Sequence, residues 1–283
     1  MTAYVVYDVF TGVPFGGNQL AVFPDARALP EARLQQIARE FNFSEVSFVY
    51  PPRDAGHTAR VRIFTPTMEI PFAGHPTIGT AVALAEAGGP ADMVLELGVG
   101  PVPCFATPDG ARFVSATPLT ELAEPPVALV AAALGLDATE LVARVHPPVM
   151  ASVGLPFVCV ELTDEAALSR ARADVAVLRE AAARYPAGLD FALYPYVRRG
   201  DAVSARMFAP LDLIPEDPAT GSAAAALVAL LSTRVGTPLA LTIRQGVQMG
   251  RPATIHAEVL SLAPLRVQIG GAAVRIMKGT LLV

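Results

Sequence analysis

The chain has 283 residues, 53% of them hydrophobic and 17% charged, with a net charge of −5 and a pI near 5.4. This composition supplies a sizeable core and excludes an intrinsically disordered chain, and the lack of a basic cluster argues against a nucleic-acid partner. Two cysteines, Cys104 and Cys159, give neither a disulfide framework nor a metal-ligand spacing. With no signal peptide and no long apolar run, we expect a soluble, cytoplasmic protein that does not enter a membrane.

Alternating apolar residues and turn signals predict a strand-rich first half with one surface helix. The helix runs from about Pro30 to Phe41, with apolar residues spaced three and four apart on one face. The predicted strands are residues 3–9, 19–23, 44–50, 57–64, 92–97, 100–106 and 111–116. A further stretch at roughly 125–142 has a helical pattern and enough polar residues to lie on the surface.

Two segments, residues 64–84 and 208–228, have the same organisation: a strand, then a turn with Pro and Gly, then an unusually apolar helix. The first helix is expected from about Pro76 to the Gly88-Gly89 pair. In the second, no residue from 223 to 231 is polar. A helix that is apolar all round is buried, so each segment predicts a helix inside a core.

The second half of the chain repeats motifs of the first at slowly growing offsets, which predicts an internal duplication. We expect an N-terminal repeat at 1–117, to which a C-terminal strand near 273–283 returns, a C-terminal repeat at 118–272, and an active site in the cleft between them. The predicted fold is α+β: two pseudo-symmetric domains, each a barrel-like, mostly antiparallel sheet wrapped around a central buried helix. At an offset of 142 residues GVPF 12–15 matches GLPF 154–157, and at an offset of 143 Phe48 matches Phe191. At an offset of 144 Arg62, Phe64, Pro66 and Pro71 match Arg206, Phe208, Pro210 and Pro215, and at an offset of 147 Gly74 matches Gly221.

The turns before the two apolar helices carry the first candidates for chemistry. His75 lies in the first turn, and Asp217 and Ser222 lie in the second. The first N–H groups of a helix are unpaired and carry partial positive charge, so two such ends favour binding of an anion such as a substrate carboxylate. Gly74 and Gly221 allow the backbone to approach a ligand closely. The alternative is that Asp217 and Ser222 only cap a helix.

Glu45 is the third candidate, because it stands among apolar neighbours in the segment FNFSEVSFVY. Such surroundings raise the pKa of a carboxyl group, which suits a general acid or base near neutral pH. The alternative is a glutamate in a helix-to-strand turn that faces solvent. Cys104 and Cys159 lie outside the helix-start turns, so we expect them to be buried packing residues.

Several segments, in this order, resemble the PhzF family of phenazine-biosynthesis isomerase-like proteins. The segments are DVFTGVPFGGNQLAVF near the start, SEVSFV at 44–49, RIFTPTMEIPFAGHPTIGTA at 62–81, EDPATGSAA at 216–224 and RQGVQMGRP at 244–252. The resemblance implies the diaminopimelate epimerase-like fold, isomerase chemistry with no cofactor, and often a homodimer. Gln19 and Val46 stand where the family usually has Pro and Thr, which bears on substrate specificity.

Carried over motif by motif, the resemblance implies that Glu45 is the proton-transferring acid/base. It implies that His75 and Asp217 orient the substrate, and that Gly74, Gly221 and Ser222 hold its carboxylate. We therefore predict an isomerase that shifts a proton on a small carboxylate-bearing molecule. Two alternatives remain: an amino-acid epimerase or racemase that pairs Glu45 with Asp217 or His75, and a non-catalytic small-molecule binder.

Overall fold

The computed structural model describes residues 1–186 and 191–282. It forms two compact units: unit 1 comprises Met1–Ser115 and Ile269–Val283, and unit 2 comprises Ala116–Gln268. The helices are α1 (Glu31–Phe41), α2 (Gly74–Glu86), α3 (Val127–Leu134), α4 (Glu165–Arg170), α5 (Val175–Arg184) and α6 (Gly221–Val235). The strands of unit 1 and its C-terminal return are β1 (Thr2–Val9), β2 (Asn18–Phe23), β3 (Glu45–Tyr50), β4 (Ala59–Phe64), β5 (Glu69–Ile70), β6 (Asp92–Leu97), β7 (Gly100–Thr107), β8 (Gly110–Ser115) and β19 (Leu265–Leu281). The other strands are β9 (Thr120–Ala123), β10 (Leu141–Val142), β11 (Val149–Ser152), β12 (Pro156–Leu162), β13 (Leu193–Arg199), β14 (Ala202–Ala205), β15 (Met207–Ala209), β16 (Ile214–Asp217), β17 (Ala240–Gln245) and β18 (Ala253–Leu262).

Unit 1 is a curved sheet around α2. Strand β1 pairs antiparallel with β2 and β19, β2 runs parallel to β3, β3 is antiparallel to β4, β4 is parallel to β6, and β6, β7 and β8 form an antiparallel meander. Every residue of α2 from Gly74 to Ala83 is buried. The unusually apolar, buried helix predicted from the sequence is confirmed, and it begins two residues earlier than expected.

Unit 2 repeats this succession of pairings around α6. Strand β11 is antiparallel to β12, β12 parallel to β13, β13 antiparallel to β14, β14 parallel to β17, and β17 antiparallel to β18. Every residue of α6 from Ala223 to Ser232 is buried. The repeated order of parallel and antiparallel pairs, each around one buried helix, is the α+β architecture expected from the sequence.

Two equivalent ion pairs fix the alignment of the repeats. In unit 1 the guanidinium of Arg62 binds both carboxylate oxygens of Glu69, and in unit 2 that of Arg206 binds both oxygens of Glu216. Each guanidinium also lies over the phenylalanine ring two residues further on, at 5.2 Å and 4.7 Å from the ring centroid. The two arginines are 144 positions apart in the sequence and the two glutamates are 147 apart. Unit 2 therefore has three extra residues between its arginine and its glutamate.

A glycine–proline contact corrects one predicted match. A Cβ atom at Gly98 would approach the Cα of Pro71 to 2.6 Å, and one at Gly246 would approach the carbonyl oxygen of Pro218 to 2.6 Å. Strand pairing makes Gly98 and Gly246 equivalent. Pro71 therefore corresponds to Pro218, and its predicted match with Pro215 is wrong.

Strand register corrects a second match. Val46 on β3 and Leu193 on β13 each pair with the phenylalanine that lies beneath the arginine. Val46 therefore corresponds to Leu193, an offset of 147, so the predicted match of Phe48 with Phe191 is wrong. By the same register the position of Glu45 in unit 1 is taken by an alanine, Ala192, in unit 2.

Two smaller predictions need correction. The stretch at 125–142 is helical only from Val127 to Leu134, and that helix is not a polar surface element, because Val130, Ala133 and Leu134 are fully buried. Helix α1 begins at Glu31, with Pro30 as its N-cap. In the part of the chain that the structure describes, no helix has the length and apolar character needed to cross a bilayer.

Candidate active site

Glu45 is the first residue of β3 and lies beside the start of α2. Its side chain is 13% exposed, and its Oε2 is 3.5 Å from Nδ1 of His75. The neighbouring Val46 is fully buried. Glu45 is thus fixed by a core strand, and its Oε2 is buried. The alternative of a glutamate that faces solvent is therefore wrong.

His75 is the second residue of α2, and it is 4% exposed. Its Nδ1 is also 3.4 Å from the amide nitrogen of Asn18, which is itself buried. Burial lowers the pKa of His75 to about 3, and a hydrogen bond to the Gln19 backbone opposes this only in part. The imidazole is therefore neutral at physiological pH, and its contact with Glu45 is a polar contact rather than an ion pair. Its Nε2 is buried and has no hydrogen-bond partner among the described residues.

The loop of residues 10–17 leads into Asn18 and is held by a buried carboxylate. Oδ2 of Asp8, which is 2% exposed, accepts a 2.7 Å hydrogen bond from the backbone N–H of Phe15. Phe15 has a positive φ of 69° and a side chain that is 72% exposed. An anchored loop of this kind places Asn18 reproducibly beside His75.

Asp217, the last residue of β16, belongs to a separate polar network in unit 2. The hydroxyl of Thr220 donates a 2.6 Å hydrogen bond to Oδ2 of Asp217. The amide of Gln245, at the end of β17, donates to the carbonyl oxygen of Asp217 at 2.8 Å and to Oγ1 of Thr220 at 2.9 Å. All three side chains are buried. Asp217 is thus held by side chains from two directions.

The predicted carboxylate-binding residues occupy equivalent places in the two units. Gly74 and His75 are the first two residues of α2, and Gly221 and Ser222 are the first two of α6. The N-cap of α6 is Thr220, so Ser222 lies inside the helix and the reading of Ser222 as its cap is wrong. The N–H groups at such positions point out of the helix end, which favours an anion.

The two cysteines are packing residues, as predicted. Cys104 and Cys159 are free and buried, and burial raises the pKa of each thiol to about 12. Neither can serve as a thiolate base near neutral pH. Among the described residues, no group of three or more His, Cys, Asp or Glu side chains is placed to hold a metal ion.

Four residues of these clusters were not predicted from the sequence: Asn18, Thr220, Gln245 and Tyr194, whose hydroxyl donates to Oε1 of Gln245 at 3.2 Å. Asn18, Thr220 and Gln245 lie within segments that the sequence analysis singled out, and Tyr194 lies outside them. Nothing in the local pattern says which strand end each side chain reaches, because that depends on the register of distant strands.

Comparison with known proteins gives consistent matches over the whole chain. The family model described as "Phenazine biosynthesis-like protein" matches residues 7–279. An uncharacterised isomerase of Mesorhizobium japonicum is 41% identical, covering 99% of this chain and 98% of that protein. The trans-2,3-dihydro-3-hydroxyanthranilate isomerase of Pseudomonas aeruginosa is 37% identical, covering 91% and 90%. The solved structure of a predicted epimerase from Pseudomonas aeruginosa is 31% identical, with a TM-score of 0.83 and full coverage of both chains.

Proposed function

The chain belongs to the PhzC/PhzF phenazine biosynthesis-like family, and on this premise we propose that it is an isomerase that shifts a proton on a small, unsaturated carboxylate by general acid/base catalysis. Relatives named as isomerases, at 41% and 37% identity, support the reaction class. The observation that carries the proposal is the contact of a largely buried carboxylate, Glu45, with a neutral, buried His75.

In the proposed mechanism Glu45 is the acid/base. Its carboxylate removes a proton from a carbon next to an activating group, and the electron pair of that C–H bond moves into the adjacent double-bond system. The same carboxyl group then delivers the proton to another carbon within its reach. The double bond has moved and no electrons are gained or lost. A positioned carboxyl of this kind contributes roughly 10²- to 10⁴-fold to the rate.

His75 is proposed to orient the substrate rather than to exchange protons. A neutral imidazole offers one N–H donor and one ring-nitrogen acceptor, each of which makes a directional hydrogen bond. The first N–H groups of α2 and α6, with Gly74, Gly221 and Ser222, are proposed to bind the carboxylate. Asp217 is proposed to accept a hydrogen bond from a polar group of the substrate.

The test uses trans-2,3-dihydro-3-hydroxyanthranilate, the molecule named for one relative, incubated with the protein in D2O and followed by NMR and mass spectrometry. We expect a shifted double bond in the product. Deuterium at the carbon that receives the proton measures how often the carboxyl proton exchanges with D2O before it is delivered. Glu45→Gln should lower turnover about 10³-fold, because the amide keeps the shape and loses the proton shuttle. Glu40→Gln, at an exposed glutamate of α1, is the matched control.

Two outcomes would contradict the proposal. Full turnover by Glu45→Gln would remove Glu45 from the chemistry, and no turnover by the wild type would remove the isomerase assignment for this substrate class. A second candidate, an epimerase, is favoured by the similarity to the predicted epimerase structure. In that case deuterium enters at one inverted stereocentre and the double bonds do not move. The homodimer, the cytoplasmic location and the absence of a nucleic-acid partner stay predictions.

A further inference from the structure

Gln245 makes four hydrogen bonds in the interior of unit 2. Its side-chain nitrogen donates to the carbonyl oxygen of Asp217 and to Oγ1 of Thr220. Its side-chain oxygen accepts from the hydroxyl of Tyr194 at 3.2 Å and from the backbone N–H of Thr220 at 3.3 Å. The residue is 0% exposed. A fully satisfied buried amide has a fixed orientation, because turning it over would set donor against donor and acceptor against acceptor.

The fixed amide determines where the Thr220 hydroxyl points. Because Oγ1 of Thr220 accepts a hydrogen bond from Gln245, its single hydrogen is directed to another acceptor. That acceptor is Oδ2 of Asp217, at 2.6 Å. The chain of bonds therefore runs in one direction, from Gln245 through Thr220 to the carboxylate of Asp217.

Unit 1 shows that the fold does not need this network. The strand and helix alignment gives each of its four members an equivalent in unit 1, and three of the four equivalents are apolar. The equivalents of Gln245, Asp217, Thr220 and Tyr194 are Leu97, Ile70, Ala73 and Ser47. The same backbone thus packs with aliphatic side chains at three of these positions in unit 1, so the repeated fold does not require a polar network there.

We propose that Gln245 is a positioning residue for Asp217: through the Thr220 hydroxyl it holds the Asp217 carboxylate in one orientation toward the substrate. The inference rests on the proposed function, in which Asp217 accepts a hydrogen bond from the substrate. Its structural part, that Gln245 fixes the orientation of Asp217, can be tested without substrate. Positioning of this kind affects the rate because a small displacement of a polar group weakens its interaction with the transition state.

The main experiment replaces Gln245 by the residue that unit 1 has, Gln245→Leu, and measures kcat and KM with trans-2,3-dihydro-3-hydroxyanthranilate. We expect kcat to fall about 10- to 100-fold. In an Asp217→Asn background the same change should produce no further fall, because the group that it positions is already disabled. A full additional loss in that background would overturn the proposal. Gln248→Leu, at an exposed glutamine of the next loop, is the control that keeps wild-type kinetics.

Crystal structures of the wild type and of Gln245→Leu give a readout that does not depend on activity. We expect Asp217 to occupy more than one orientation, or a new one, in the variant, while β16 and the start of α6 keep their places. An unchanged Asp217 would overturn the proposal even if the isomerase assignment holds. A wild type without turnover would remove the proposed function and leave the structural comparison to decide whether Gln245 positions Asp217.

Gln245→Glu keeps the inference testable if the leucine variant does not fold. The introduced carboxylate keeps the volume and the oxygen that accepts from Tyr194 and from the Thr220 backbone, but it loses the amide donor. Where this carboxyl is ionised, it accepts from the Thr220 hydroxyl, which then turns away from Asp217, so kcat is compared at the alkaline end of the pH range. We expect a fall in kcat of at least about 10-fold with a native fold, and wild-type kcat in this variant would contradict the proposal.

Discussion

The starts of the two buried helices, α2 and α6, differ in chemistry although their backbones are equivalent. At α2, Glu45, Asn18 and His75 form a polar cluster on unit 1. At α6, the polar cluster consists of Asp217, Thr220, Gln245 and Tyr194, which are joined by hydrogen bonds. Alignment by strand register shows that the polar positions of one unit are mostly apolar in the other. The position of Glu45, for example, is an alanine in unit 2.

The repeated fold therefore accommodates either polar or apolar side chains at these equivalent positions. A largely buried carboxylate, Glu45, lies at the α2 cluster, and a carboxylate held by hydrogen bonds, Asp217, lies at the α6 cluster. A symmetric pair of bases, one at each helix start, would need the same residue type at equivalent positions. His75 and Ser222 are equivalent but differ in residue type, so the two helix starts do not supply such a symmetric pair.

The largest expected effect concerns the two arginine–glutamate pairs that align the repeats. In unit 2, Arg206 is 4% exposed and Glu216 is 17% exposed, and the guanidinium also donates to three backbone carbonyls. Arg206→Met leaves the carboxylate and these carbonyls without a donor, so we expect a loss of about 3–5 kcal/mol in the free energy of unfolding. Urea unfolding of variant and wild type measures it.

Arg62→Met is the matched variant in unit 1. Arg62 is 20% exposed, and its partners Glu69 and Glu31 are 42% and 80% exposed, so water replaces the lost contacts. We expect a loss of about 1 kcal/mol or less. Equal losses from the two variants would show that burial does not distinguish the two equivalent pairs.

The next largest effect concerns the pH dependence of stability. His75 has a titratable side chain, whereas its equivalent in unit 2, Ser222, does not. The pKa of His75 is lowered to about 3 in the folded chain from an ordinary value of 6.5. Below pH 6.5 the unfolded chain takes up a proton that the folded chain refuses, so stability falls as the pH falls toward 3. Between pH 7 and pH 5 we expect a loss of about 2 kcal/mol from this group.

His75→Ser, which gives unit 1 the residue of unit 2, should remove that part of the acid sensitivity. Urea unfolding at pH 7 and pH 5 measures the difference, and His256→Ser, at an exposed histidine, is the control. An unchanged pH dependence in His75→Ser would mean that the imidazole is not held neutral. The neutral state also predicts that His75 adds no inflection to the pH profile of kcat between pH 5 and pH 9.

The smallest effect is expected at the outer end of the unit 2 network. Tyr194→Phe removes the hydroxyl that donates to Oε1 of Gln245, but the backbone N–H of Thr220 still donates to that oxygen. We expect a loss of about 1 kcal/mol in stability and a change in kcat below about 3-fold. A loss in kcat as large as that of Gln245→Leu would show that the network acts as one unit rather than in steps.

The sequence was sufficient for those features that depend on composition and local spacing. The helices that begin at Gly74 and Gly221 are unusually apolar, and both are buried as that pattern predicts. The alternation at 59–64 gave β4 with Val61 and Ile63 inside and the arginines on the other face. These predictions were right because burial of an apolar surface decides them.

The features that depend on register could not be predicted. GVPF lies in the loop between β1 and β2, whereas GLPF continues into β12, so this match of four letters is not a structural equivalence. A sequence offset does not show on which side of a matched residue an insertion lies. The hydrogen-bond pairing of the strands does show this, because it fixes which residues are equivalent. For the same reason the bond from Gln245 to Thr220 was not foreseen, since 25 positions separate the two residues along the chain.

Strand β19 makes unit 1 discontinuous along the chain. Unit 2 is one uninterrupted stretch, but the first strand of unit 1 pairs with β19, from Thr2 with Leu281 to Val9 with Ala273. During synthesis on the ribosome, the complete sequence of unit 2 is therefore available before that of unit 1. Until β19 emerges, β1 presents an unpaired edge, which is an aggregation hazard for the nascent chain. The unit that carries Glu45 is begun first and completed last.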